Sequence, residues 1–212
     1  ALASDQDEVA ACVLVRSPLL TDVDLIDRVA SSRPSVQALI AARPLVSMSL
    51  SAAVAEVGAL EACLALARNE GAQIASLSFR RMAERFGHEA ALREALLADP
   101  HLPGDCRHML LVALGEALRQ APLVRALMGE ARAERVTREA CVRASLTLIE
   151  RTPTGEHEAL IEHLRLRGEL TAGFLLRAIA HGKVDFLGSV LMILSGHSEG
   201  RVRAILASGR DV

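Results

Sequence analysis

Apolar residues recur every three or four positions along most of the chain, which is the spacing that places side chains on one face of an α-helix. One such stripe runs through residues 25–29 and another through residues 50–57. Thr21 and Ser47 precede these stripes at the position where a hydroxyl side chain caps the first turn of a helix. The pattern therefore predicts two amphipathic helices that begin just after these residues.

A short motif recurs along the first half of the chain. Pro18-Leu-Leu-Thr21 and Pro44-Leu-Val-Ser47 are 26 residues apart, and a related Pro100-His-Leu-Pro103 follows 56 residues later. A period of about 26–28 residues is typical of stacked helix pairs, in which no pair buries its apolar face alone. We predict an all-α fold with a HEAT-like α-solenoid over residues 1–120. The side chains expected between successive pairs are Leu39, Ile40, Leu64, Leu96 and Leu114.

The period loosens beyond about residue 121, where proline and glycine separate the apolar stretches. Helices are predicted over residues 121–129, 134–150, 156–166, 171–181, 184–194 and 199–207. The sequence has no Ser/Gly-rich linker between the two halves. We therefore expect residues 121–212 to form a less regular helical section that packs continuously on the repeats.

Composition agrees with the helical prediction. The chain is 51% hydrophobic, which excludes a disordered protein, yet it has four Phe and no Trp or Tyr. Ala, Leu, Arg and Glu are strong helix formers, whereas strands favour β-branched and aromatic residues. The sequence also contains no apolar run of the roughly 20 residues that a membrane-spanning helix needs. We expect a soluble, cytoplasmic protein with no membrane partner.

The chain resembles a known family over nearly its whole length. The resemblance rests on the stretch Gly168-Glu-Leu-Thr-Ala-Gly-Phe-Leu-Leu-Arg-Ala-Ile-Ala-His-Gly182, followed by Asp185-Phe186-Leu187, and on the repeated proline motifs. These residues are similar to the DUF2336 family of bacterial proteins, found chiefly in alphaproteobacteria. The resemblance implies a helical-repeat fold over residues 7–208 and brings no established active site.

Two clusters contain residue types that bind metal ions. They are Asp99, His101, Asp105, Cys106 and His108, and Glu156, His157, Glu158, Glu162 and His163. Neither has the spacing of a known metal motif, so we expect a capped turn with surface histidines at the first and a solvated edge at the second. The cysteines lie far apart and suggest no zinc knuckle. We expect no metal, no cofactor and no enzymatic activity.

Arginine is concentrated between residues 125 and 151, where it alternates with glutamate. The spacing of Glu134 and Arg138, and of Glu139 and Arg143, favours ion pairs along an exposed helix. An alternative is a basic surface that binds nucleic acid or phosphate groups, although the absence of aromatic stacking platforms argues against it. The candidate interaction surface comprises Arg132, Arg135, Arg138, Arg143, Arg177 and Lys183.

Stacked helix pairs form extended surfaces that hold peptides or partner helices. The sequence therefore favours a non-enzymatic protein-interaction scaffold whose partner is another, unidentified protein. The alternatives are nucleic-acid or phosphate binding through residues 125–151, and an uncharacterised enzyme or metal-binding protein. Nucleic acid is not the expected partner, and the oligomeric state is open.

Overall fold

The computed structural model of the chain describes residues 14–17 and 19–208. Within this part of the chain all regular structure is helical and no strand is formed, which confirms the all-α prediction. The chain divides after Leu102 into two compact units, residues 1–102 and 103–212.

Residues 14–16 of the first unit are helical, and six further helices have both ends among its described residues. They are α1 (Asp22–Ser31), α2 (Pro34–Ala41), α3 (Met48–Val57), α4 (Leu60–Ala67), α5 (Ser76–Phe86) and α6 (Ala90–Ala98). Thr21 caps α1 as predicted, because its hydroxyl accepts from the Asp24 amide while the Asp24 carboxylate accepts from the Thr21 amide at 3.0 Å. Ser47 caps α3 by accepting from the Leu50 amide.

Each helix of the first unit packs against the next but one in the sequence. Helices α1, α3 and α5 are in successive contact, as are α2, α4 and α6, and each odd-numbered helix also contacts the one that follows it. Helix pairs are therefore arranged in two layers. Completely buried side chains between them include Val29, Ile40, Val54, Leu66 and Leu96.

The turns between pairs are joined by bonds from side chains to backbone carbonyls. The Arg43 guanidinium donates to the carbonyl oxygens of Leu14 and, at 2.9 Å, Ser17. The Asn69 amide nitrogen donates to the carbonyl oxygens of Ala41 at 2.8 Å and Arg43 at 2.7 Å. These bonds satisfy carbonyls that lie at or just beyond helix ends and lack partners within the helix.

Two of the five predicted core residues, Ile40 and Leu96, are completely buried. Leu39, Leu64 and Leu114 are only partly buried, so the prediction was wrong for them. In α4 the side chains of Cys63 and Leu66 are buried, whereas Leu64 lies at the side of the buried face. A helix of two turns has too few apolar positions to show from sequence alone which of two adjacent stripes faces inward.

The second unit contains seven α-helices among its described residues. They are α7 (Gly104–Gln120), α8 (Pro122–Met128), α9 (Glu130–Arg151), α10 (His157–Leu166), α11 (Ala172–Ala180), α12 (Val184–Ser195) and α13 (Glu199–Ser208). A 3₁₀ turn over Thr154–Glu156 precedes α10. Helix α7, which lies within the predicted repeats, belongs by its contacts to this unit and packs on α9 and α10.

The core of the second unit is formed by α9 to α12. Its buried residues are Leu146, Leu148, Ile149, Leu160, Ile161, Leu164, Phe174, Ala178, Phe186 and Val190. The start of α7 is bonded to the 3₁₀ turn before α10, because the Gly104 amide donates to the Glu156 carboxylate at 3.2 Å. Within the described ranges, every helix is too short or too polar to cross a membrane.

Candidate functional site

A cleft of about 610 Å³ lies in the second unit between α7, α9 and the start of α11. Its inner wall carries Val112 and Gly115 of α7, Val142 of α9 and Phe174 of α11, together with His108. Its other lining residues are Glu116, Arg119, Glu134, Thr137, Arg138, Cys141, Ser145, Glu169, Thr171 and Arg177. The cleft thus has an apolar wall and charged groups around it.

Local features of the sequence build this cleft. Gly115 allows α7 to approach α9, because a Cβ at this position would lie 2.4 Å from the Cys141 sulfur. Gly168 ends α10 with a φ of 68°, a left-handed conformation that favours glycine. The turn brings Glu169 to the cleft, and Thr171 then caps α11 by accepting from the Phe174 amide at 3.2 Å.

His108 is the most deeply buried of the polar residues that line the cleft, with 1% of its surface exposed. Its Nε2 lies 3.3 Å from Oε2 of Glu169, and its ring meets that of His163 edge-on at 5.3 Å between centroids. Since a carboxylate oxygen accepts, Nε2 carries the ring hydrogen and Nδ1 keeps a lone pair. Nδ1 has no hydrogen-bond partner in the part of the chain that the structure describes.

Burial lowers the pKa of His108 to about 4, because the charged imidazolium loses its hydration. The Glu169 carboxylate raises this pKa, whereas His163 and Arg167 lower it, and desolvation is the largest of these effects. Glu169 is shared, since its Oε1 also accepts from Nε of Arg167 at 2.7 Å. His108 is therefore neutral at pH 7 and contributes no positive charge to the cleft.

Three of the six predicted interaction residues come together. Arg135, Arg138 and Arg177 line a groove of about 450 Å³ that shares Glu134, Arg138, Val142 and Arg177 with the cleft. Arg138 is paired with Glu134, as the spacing predicts. Within residues 14–17 and 19–208, neither Arg135 nor Arg177 forms an ion pair. Two helices, α9 and α11, thus contribute cations to one groove.

The other three candidates lie elsewhere. Arg132 and Arg143 are exposed on α9 and line neither groove. Lys183 is 16% exposed, and its Nζ lies 2.8 Å from Oε2 of Glu150. The hydrogen bond from Lys183 lowers the pKa of the Glu150 carboxyl.

The segment that bears the family resemblance forms one side of this site. Residues 168–182 supply the turn after α10 and helix α11, hence Glu169, Thr171, Phe174 and Arg177 of the cleft. The model of a family described as an uncharacterised protein conserved in bacteria, DUF2336, matches residues 9–212. The chain belongs to the DUF2336 family. No curated protein and no solved structure matches it.

In this DUF2336 protein, the residues of the first cluster with metal-binding side chains differ in burial. His101 is exposed in a turn, where its Nδ1 lies 3.3 Å from Asp99, as expected. Asp105, Cys106 and His108 are buried, so the expectation of a surface histidine at position 108 was wrong. A second stripe at helical spacing runs along α7, through Gly104, His108, Leu111 and Gly115. This stripe was the feature of the sequence that could have predicted the burial of His108.

The second cluster is likewise dispersed. His157 is buried against the Phe186 ring, with its Nδ1 at 3.0 Å from the Ser189 hydroxyl. Glu162 pairs with Arg165, and Glu158 is exposed. Among the described residues, no group of three or more His, Cys, Asp or Glu side chains is arranged to hold a metal ion.

The thiols of Cys63 and Cys141 are not activated as nucleophiles. Burial raises the pKa of Cys63 to about 11, against a smaller lowering by Arg85. Burial also raises the pKa of Cys141, and the Glu169 carboxylate adds to this effect. Both thiols stay protonated at neutral pH, whereas a catalytic cysteine needs a lowered pKa. Cys12 lies outside the described residues.

A second surface feature lies in the first unit, where large apolar side chains are exposed just before or within the first turns of α1, α3 and α5. Leu19 is 87% exposed, Leu45 81% and Leu77 77%. Val23 and Met48 are exposed beside them in the sequence. We call these five residues the apolar edge.

Proposed function

We propose that the helix pairs of residues 14–102 form a HEAT-like α-solenoid, and that this DUF2336 protein is a non-enzymatic scaffold that binds another protein. The two-layer packing of α1, α3 and α5 against α2, α4 and α6 supports the solenoid. The bonds that Arg43 and Asn69 make one repeat apart support it as well. A cytoplasmic location is part of the proposal and is supported by the free thiols of Cys63, Cys106 and Cys141.

The observation that carries the scaffold proposal is the apolar edge. Leu19 and Leu45 occupy equivalent repeat positions, each directly after a proline of the motif. The segments that enter α3 and α5 run side by side, since Val46 and Ala72 form a parallel bridge. Leu19 and Leu45 thus expose an apolar group at the same place in two successive helix pairs. Such exposed groups mark a surface for association, because a partner removes them from water.

The experiment compares two triple variants in quantitative co-purification from the bacterial cytoplasm. Leu19, Leu45 and Leu77 are changed to Ser in the test variant. In the control variant Leu123, Leu166 and Leu176, which are similarly exposed in the second unit, are changed to Ser. Both variants are expected to keep the helical circular dichroism and melting temperature of the unaltered protein, because exposed side chains contribute little to stability.

We expect one or more proteins to be recovered with the unaltered chain and the control variant but not with the apolar-edge variant. Each recovered protein is then purified and titrated against all three chains by calorimetry, so that direct binding is measured. Equal recovery and equal affinity for the two variants would contradict the assignment of the apolar edge as the binding surface.

A further inference from the structure

We infer that the cleft of the second unit binds a small amphipathic anion, a molecule with one carboxylate or phosphate group on an apolar body. This site is independent of the protein-binding surface proposed above, because all of its residues belong to α7, α9, α11 and the turn before α11.

Size and wall composition favour a small molecule. Ligand sites commonly measure about 300–1,000 Å³ and combine apolar walls with a few polar groups. The cleft has about 610 Å³, and Val112, Val142 and Phe174 give it an apolar wall. This wall suits the apolar body of a ligand.

The charges around the cleft favour an anion. Arg119 and Arg138 are neutralised by Glu116 and Glu134, and Glu169 is paired with Arg167. Arg177 lines the cleft and has no ion pair among the described residues. These side chains therefore leave one positive charge uncompensated, at Arg177.

Arg177 also fixes where the anionic group binds. It lines both the cleft and the adjoining groove, as does Val142, while Arg135 lines the groove from α9. The planar guanidinium fork matches the oxygens of a carboxylate or phosphate group. An anionic group at this junction lies against Arg177, with Arg135 in the same groove, and an attached apolar chain extends along Val142 into the cleft.

His108 lines the cleft, but its Nδ1, which has no hydrogen-bond partner within the described ranges, is closed to solvent and offers no contact to a ligand. The ring is neutral at pH 7, because burial lowers its pKa to about 4, so it does not compete with Arg177 for the anionic group.

The test titrates the full chain with octanoate, octyl phosphate and octanol by calorimetry. The three probes share an apolar body, and only the first two carry an anionic group. We expect saturable binding of octanoate, octyl phosphate or both, about tenfold or more tighter than octanol. The preference between the two anions identifies the class of the natural head group. Equal binding of octanol, or no saturable binding of any probe, would overturn the inference.

Matched variants locate the binding. Arg177→Gln is expected to weaken binding of the anionic probes about tenfold or more and to leave octanol unchanged. Arg143→Gln removes an exposed arginine that lines neither groove, and we expect it to change affinity by less than about twofold. Val142→Thr, which keeps the shape of the side chain, should weaken all three probes. Equal effects of Arg177→Gln and Arg143→Gln would show that the binding is not in the cleft.

Discussion

Asn69 lies 26 residues after Arg43, and each side chain donates to the backbone carbonyl oxygens of two residues that lie 26–29 positions earlier in the chain. The two residues differ in size and charge, yet each connects the turn between helix pairs in which it lies to the preceding such turn of the chain. Asn69 even binds the carbonyl of Arg43 itself, at 2.7 Å. The two contacts are thus alike in the groups that the side chains bind and differ in residue identity, so the sequence pattern alone does not reveal that they correspond.

The first prediction concerns this contact. Asn69→Ala removes the donor to Ala41 and Arg43 and also the acceptor of the Gly71 amide, which lies at 2.9 Å. Leaving such groups without partners costs about 1–3 kcal/mol in the free energy of unfolding. Gln73→Ala, an exposed change nearby, should stay within about 0.5 kcal/mol. Urea denaturation followed by far-ultraviolet circular dichroism measures both, and equal values would contradict the assigned role.

A second prediction compares the effect on stability of alanine substitutions at two glycines. A Cβ on Gly71 would lie 1.9 Å from the backbone oxygen of Pro44, so Gly71→Ala forces the turns between pairs apart. We expect a loss of about 1–3 kcal/mol, the range for overpacking. Gly188 lies within α12, and a Cβ at this position would meet no other atom within 4 Å. Gly188→Ala should therefore raise the free energy of unfolding by about 0.5–1 kcal/mol. A silent Gly71→Ala in the same denaturation assay would show that the turns are not packed as described.

Helix positions were predictable because their determinants are local. The six helices predicted beyond residue 121 all form, and most ends agree within two residues; the exception is α9, which begins at Glu130 rather than near residue 134. Gly129 accounts for the earlier start of this helix. It precedes Glu130 with a φ of 74°, a conformation that favours glycine, and the helix begins directly after it. Thr21 and Ser47 cap as predicted because capping depends on a few adjacent residues.

The candidate site was less predictable because it depends on packing. Arg138 and Arg177 belong to helices α9 and α11, and no sequence spacing shows that they line one groove. His108 was expected at the surface because the cluster to which it belongs was interpreted as a capped turn. Its burial follows from the two faces of α7, which pack against α9 and α10. Contacts between elements far apart in the sequence decide both features.

The third prediction is a pH dependence. The pKa of His108 is about 4 in the folded protein, against about 6.5 for an exposed histidine. Between these values the unfolded chain binds a proton that the folded chain does not, so the free energy of unfolding falls as the pH falls. We expect His108 to account for a loss of about 2 kcal/mol between pH 7 and pH 5. The facing groups are Glu169, which opposes the lowering, and His163 and Arg167, which add to it.

The matched variant is His108→Asn, which cannot take up a proton. We expect it to be less stable than the unaltered protein at pH 7 and to lose about 2 kcal/mol less on going from pH 7 to pH 5. Urea denaturation at about five pH values in this window measures the slope while staying above the range in which most carboxyl groups titrate. An identical slope in both proteins would show that His108 is not buried in its neutral form.

The last prediction separates protein binding from nucleic-acid binding. If Arg132, Arg135, Arg138 and Arg143 contacted phosphates, four contacts would give a log–log salt dependence of about −3.6 on duplex DNA. Arg138 is already paired with Glu134, and Glu139 also lines the groove of Arg135, so carboxylates interrupt the basic track. We therefore expect no appreciable affinity in filter-binding titrations with DNA or RNA, even at about 50 mM salt. Changing all four arginines to Glu should destabilise α9 by a few tenths of a kcal/mol for each ion pair that is lost and each like-charge pair that is created. Micromolar, salt-sensitive binding that these substitutions abolish would instead assign α9 to nucleic-acid recognition, because counterion release from phosphates produces that salt dependence.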